Sequence, residues 1–296
     1  MRWMLWIGYA LFGMMMFLVF TYLNFPYPRV KALLVAEFQS RVPARLSIAA
    51  LRADPPLGMV GRNVVVTSSL NGDNMELFRA DRIGLRFAPL SWIRGRGSMR
   101  IHIQAYGGAI YAMTGIYQFL NPIDRPIEIE IQGIDPGRNT ALRKSIANEL
   151  TGLLDGELKV QPRSGGLLKF QMGGRLMAKN VKIDGIKNLN PNPGRLTFSK
   201  IECIVAFSDG ILHLAPMRAQ GSELEGKLEG TLRLRENLRE SVLNMRGNIL
   251  IKPVLASKLG LIMTFLRKYR NTRGEIPFAL TGTLQRPSLR VAGMKF

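Results

Sequence analysis

The spacing of hydrophobic positions changes along this chain, and each change predicts a different element. Residues 3–23 carry no charged side chain. As a helix rising about 1.5 Å per residue they reach roughly 31 Å, the thickness of a bilayer's hydrocarbon core. Pro26 and Pro28 end that run. In PRVKALLVAEFQSRV the apolar residues Val30, Leu33, Leu34 and Phe38 recur at helical spacing, which predicts a second helix packed on the next element of the chain. Then the period falls to two. In RIGLRF, Ile83, Leu85 and Phe87 share one face and Arg82, Gly84 and Arg86 the other. In IEIEIQ, Ile127, Ile129 and Ile131 oppose Glu128, Glu130 and Gln132. Such alternation predicts antiparallel strands with one wet and one apolar face. GRNTALRKSIANELTG reads as a short helix striped by Leu142, Ile146 and Leu150. Strands then resume, and PVLASKLGLIMTFLRKYR predicts a third helix through Leu255, Leu259, Ile262, Leu266 and Tyr269.

The two strand blocks resemble each other. GMVGRNVVV, a loop and FRADRIGLRF in the first are matched by GRLMAKNVKI, a loop and LTFSKIECIVAF in the second. This predicts an internal duplication: an anchor over residues 1–25, a first helix-plus-strand repeat over 26–135, a second over 136–252, and a closing helix with final strands over 253–296. About fourteen strands at 4.8 Å make a sheet roughly 65–70 Å long. Its apolar face must be covered by a second sheet or enclosed by lengthwise curling. Three short helices cannot roof it, so the expected fold is mainly β: a long, curled antiparallel sheet with short end helices and an N-terminal transmembrane helix. The expected groove is lined by Ile83, Leu85, Phe87, Ile101, Ile103, Ile127, Ile129, Ile131, Ile201, Val205 and Phe207.

The ends of the first run decide between an anchor and a cleaved signal. Trp3 and Trp6 stand at one end, Tyr22 and Phe25 at the other, as suits two membrane interfaces. No small-residue cleavage pattern precedes Phe25. A retained anchor is therefore expected, with Trp3, Trp6, Leu11, Phe17, Leu18, Phe20 and Leu23 facing lipid; a cleaved signal is the alternative. Arg29, Lys31, Arg41 and Arg45 come after the span, so charge bias alone would hold the large domain in the cytoplasm.

Charge and chemistry narrow the function. The chain has 41 basic and 21 acidic residues, a formal net charge of +20. That excess suits polyanions, and the apolar start favours lipid headgroups over nucleic acid. WIRGRGSMR and LRKYRNTR are the densest basic stretches, so Arg94, Arg96, Arg267, Lys268 and Arg270 are the expected headgroup or partner contacts. Each holds one aromatic residue, too few for base stacking, and no nucleic-acid partner is expected. Cys203 is the single cysteine, so no internal disulfide forms. His102 and His213 lie far apart in strand-like stretches and read as ordinary strand residues. GSELEGKL matches G-x-x-x-x-G-K, but Leu228 stands where a phosphate loop needs Ser or Thr, and the stretch alternates like a strand. GRGS at Gly95 continues into a strand and reads as a turn. No nucleophile–base or metal-ligand pattern stands out; Asp81, Glu128 and Glu130 fall on wet faces. An enzyme and a cofactor are not expected.

The order of FPYPRVKALL, DPPLGMVGRNVVV, PLSWIRGRGSMRIHIQAYGGAIYA, a second copy and GTLQRPSLRV resembles the type II secretion system protein N-like (GspN) branch of the AsmA-like family. The resemblance covers nearly the whole chain and rests on the order of diffuse motifs. It implies a single-pass inner-membrane anchor, a taco-like curled sheet in the periplasm, and association with protein transport. This placement runs against the charge bias and is preferred to it. The implied partners are the inner membrane, phospholipid and type II secretion proteins. The apolar groove would hold acyl chains; the alternative is a structural scaffold without lipid cargo, binding partners by strand addition at an open sheet edge.

Overall fold

The computed structural model describes residues 2–41, 44–55, 57–68, 75–88, 98–115, 126–140, 142–143, 147–162, 170–186, 194–235, 240–291 and 294–295. Two helices lead: α1 (Arg2–Leu23) and α2 (Tyr27–Arg41). Six strands come next: β1 (Arg45–Ala53), β2 (Gly58–Ser68), β3 (Met75–Ala88), β4 (Ser98–Ala105), β5 (Gly108–Gly115) and β6 (Ile127–Ile134). After a 3-10 turn at Pro136–Arg138 come β7 (Ala147–Pro162), β8 (Phe170–Ile186), β9 (Leu196–Ser208), β10 (Ile211–Gly221), β11 (Leu224–Arg233) and β12 (Val242–Ile251). The chain closes with α3 (Pro253–Leu259), α4 (Leu261–Arg267), β13 (Ile276–Thr283), β14 (Pro287–Val291) and the two-residue β15 (Met294–Lys295).

All fifteen strands form one sheet in sequence order, each antiparallel to the next. No described strand belongs to a second sheet. A compact protein of 33.1 kDa exposes about 12,500 Å²; this chain exposes 19764 Å². The exposed side chains of α1 contribute to that excess. Two hairpins turn where the sequence supplies left-handed residues: Tyr106 and Gly107 at φ 51° and 80°, and Asp209 and Gly210 at φ 50° and 77°. Paired positive φ values match the right-handed twist of the flanking strands.

Two helical covers form the core. α2 lies on β1, with Val35 packed against Ile48, Val64, Ala80 and Ala105. Lys31 Nζ donates to the Ala49 carbonyl at 3.2 Å. α3 and α4 bury Leu255, Met263 and Leu266 against Leu150, Val181, Leu196, Phe198, Ile251 and Ile276.

Four expectations need correction. The helix expected through Leu142, Ile146 and Leu150 does not extend that far: Leu150 lies in β7, paired with Ile183. The long ladder with β8, beginning at Ala147↔Ile186, outweighs the modest helix propensity of ANEL. Ile146 is outside the described residues. The third helix is two helices, because Gly260 adopts φ 51° between α3 and α4. Its buried stripe uses Met263; Tyr269 is exposed and the side chain of Ile262 is outside the description. On α2, Leu33 and Leu34 are exposed, while Tyr27, Val30, Lys31, Val35 and Phe38 form the half-buried stripe.

The N-terminal run is a helix of 22 residues whose described side chains, Trp3, Trp6, Leu11, Phe17 and Phe20 among them, are exposed. The side chains of Met4, Leu18, Thr21, Tyr22 and Leu23 lie outside the description. Among the described residues no helix is long and apolar enough to cross a membrane.

Candidate apolar rows and the charged face

Antiparallel partners stand on the same face of a sheet, so the register sorts every strand residue into rows across the strands. One row passes from Ala53 to Met59, Leu85, Ile101, Ala112 and Ile129. It continues through Leu158, Gly174, Val205, Leu214, Gly230, Met245, Leu280 and Leu289. It crosses β1 to β14 without a polar side chain. At about 4.8 Å per strand it is roughly 62 Å long. On one side lies a row from Ile83 through Ile103, Ile110, Ile131, Gly156 and Leu176 to Cys203. On the other, Ile127, Val160, Met172, Phe207, Leu212, Leu232 and Leu243 stand in line. Beside them Phe87 pairs with Met99 and Met99 with Thr114.

Every expected groove residue therefore lies on one face, and most share these three rows. Two qualifications come from the covers. Ile201 sits beyond the rows, against the cluster beneath α3 and α4. Ile83 and Ile103 pack against the cluster beneath α2. Leu85, Ile101, Ile127 and Ile129 are half-buried, shielded by their neighbours. Val205 and Phe207 are buried, and Phe207 stacks on Phe170 with ring centroids 4.4 Å apart.

Glycines in the rows let neighbouring backbone approach closely. A side chain at Gly174 would run into the Glu157 carbonyl and Leu158 Cα of β7. Gly156 and Gly230 are similarly crowded by neighbouring backbone. These close approaches leave low points in the floor between Leu, Ile and Val side chains. Cys203 ends one row, and burial pushes its thiol pKa up, which keeps it protonated and unreactive.

The opposite face is charged and holds an open concavity of about 1780 Å³ spanning β3 to β9. Sequence reading did not predict this hollow. Its groups largely satisfy one another. Asp54 receives Arg86 at 2.7 Å and Arg82 at 3.3 Å. The Arg86 hydrogen bond holds the Asp54 carboxyl below its ordinary range. Lys159 meets Glu128 at 3.1 Å. Asp155 accepts from the Gly133 amide at 2.9 Å and pairs with Lys179 at 3.0 Å, and these contacts lower its pKa in that order. His102 stacks flat on Tyr111, centroids 4.7 Å apart. Among the described residues no group of three His, Cys, Asp or Glu could hold a metal ion. The G-x-x-x-x-G-K stretch runs from the end of β10 through a turn at Ser222 and Glu223 into β11, where Leu224, Gly226 and Leu228 pair with Ile251, Ile249 and Gly247 of β12.

Arg267, Lys268 and Arg270 are exposed at the end of α4 and just beyond it. Arg94 and Arg96 lie outside the described residues. Comparison of the chain with protein-family models, with curated proteins and with solved structures returned no match.

Proposed function

We propose that this protein is a membrane-anchored lipid-handling module. Acyl chains lie along the three apolar rows, across the strands. One observation carries the reading: a row of apolar and glycine residues crosses fourteen strands, and no described second layer covers it. Leaving a face of that size to water is unfavourable, at about 25 cal/mol per Å² of apolar surface. An acyl chain offers the right partner, being long, apolar and indifferent to side-chain identity. Lengthwise curling of the sheet around such a chain would turn the rows into a trough. The uncharged 3–23 run is the proposed anchor, since an uninterrupted helix of that composition matches a bilayer. A periplasmic location and a supporting role in type II secretion rest on the sequence resemblance.

Native mass spectrometry of the full chain, released from membranes in mild detergent, tests the cargo. The expected spectrum shows phospholipid retained by the native protein. Leu85→Asp with Ile129→Asp should remove most of it while circular dichroism stays that of a β protein. These two positions lie clear of both helical covers. Lipid-free native protein would contradict the reading and favour a scaffold that joins partners at its sheet edges.

A further inference from the structure

We infer that the outer face of α3 and α4 is a second lipid contact, binding the surface of an anionic bilayer. The inner faces of these helices are used: Leu255, Met263 and Leu266 are buried against the sheet. Their outer faces keep large apolar groups in water, with Phe265 62%, Val254 55% and Tyr269 45% exposed. Phe265, Lys268 and Tyr269 are spaced three and four apart, so they neighbour one another at the end of α4.

Charge accompanies that apolar surface. Residues 253–274 include Lys258, Arg267, Lys268, Arg270 and Arg273, and no Asp or Glu. Among the described residues no carboxylate forms an ion pair with Arg267, Lys268, Arg270 or Arg273. The next carboxylate along the chain, Glu275, receives the Asn271 amide at 3.0 Å. Exposed aromatic and aliphatic groups interleaved with uncompensated cations are what an interfacial segment needs: the cations meet headgroup phosphates and the apolar groups enter the acyl boundary. A nucleic acid would satisfy the cations and stack on Phe265, but would offer nothing to the aliphatic Val254. α3 and α4 pack on strands from β7 to β13, so at least six strand spacings, about 29 Å of sheet, separate them from β1. The contact is therefore distinct from α1. It also stands apart from the acyl trough, because it uses the side of the helices that faces away from the sheet.

The test is co-flotation of the full chain, held in a non-ionic amphipol, with vesicles of phosphatidylcholine alone or with a third phosphatidylglycerol. A single-stranded oligonucleotide serves as a parallel arm. Capture should be at least tenfold greater on the anionic vesicles and should fade with salt. At roughly fivefold per basic residue, the triple variant Arg267→Gln, Lys268→Gln, Arg270→Gln should lose about 100-fold. Phe265→Ser should weaken vesicle capture, and Val254→Ser, at a second exposed position, should do the same and leave oligonucleotide binding unchanged. All five side chains are exposed, so the variants should keep the native circular dichroism. Equal capture on both vesicles, no capture, or indifference to the triple variant, to Phe265→Ser or to Val254→Ser would each overturn the inference. None of these outcomes bears on lipid retention in the trough.

Discussion

The apolar face of the sheet has a roofed margin and an open middle, built from the same residue types on the same strands. Under α3 and α4, Leu150, Phe198 and Ile276 reach 7%, 6% and 0% exposure. A few residues along β7 from Leu150, Leu158 is only half-buried, as is its partner Ile129 on β6, while Val205 and Met245 farther along the same row are buried. Alternation alone produces both. The difference is whether the chain supplies its own cover. At the margin the sheet behaves as an ordinary core, and from β3 to β7 the middle rows keep half-buried apolar side chains that no described helix covers.

Removing side chains should separate the two regions most sharply. Ile276→Ala creates a cavity where nothing can collapse, and should cost about 2–4 kcal/mol in urea unfolding. Leu85→Ala, half-exposed in the open rows, should cost less than about 1.5 kcal/mol. Equal losses would mean the middle is sealed as well. Next in size is Gly174→Val. The added side chain meets the Glu157 carbonyl and Leu158 Cα, and overpacking of this kind typically costs about 1–3 kcal/mol. It also puts a branched side chain across the central row. Thermal denaturation would read the first effect, and retained lipid the second.

Acid should act on the charged face and leave the apolar rows alone. The Asp155 pKa is lowered by the Gly133 amide and then by Lys179. Its contribution is therefore fully present above the ordinary carboxylate range and is lost as pH falls through the lowered value. Because the side chain is 34% exposed, Asp155→Asn should cost no more than about 1 kcal/mol after allowance for solvent screening. That loss should shrink towards zero in acid, as a pH series of urea midpoints would show. The smallest effect is kinetic. The Cys203 thiol, its pKa raised by burial, should react with iodoacetamide more slowly than free cysteine at about pH 7.5. Detergent stripping of lipid should accelerate it. Rapid labelling before stripping would place Cys203 outside the trough.

Much of this organisation is legible in the sequence. IEIEIQ and RIGLRF assign their residues to the correct faces, because period-two alternation admits one register of inside and outside. Asp209-Gly210 carries its hairpin turn openly. Other features depend on contacts that only the assembled sheet supplies. The ANEL segment has the residues of a helix, yet the β8 ladder takes it as strand. On α2, Leu33 and Val35 are equally apolar, and the direction from which β1 approaches decides that Val35 is covered. Gly260 splits the third helix, which the leucine spacing on either side conceals. The hollow on the charged face depends on how neighbouring strands sit together, which no single strand's pattern records.

The central claim is that acyl chains lie on one face of this sheet and not on the other. Benzoyl-phenylalanine placed singly at Leu85, Ile129 and Leu214 on the apolar rows, and at Tyr111, Glu130 and Arg175 on the charged face, would test it by photocrosslinking in native membranes and mass spectrometry of the products. Lipid adducts at the first three positions and none at the last three are expected. Adducts on both faces alike, or on neither, would contradict the account.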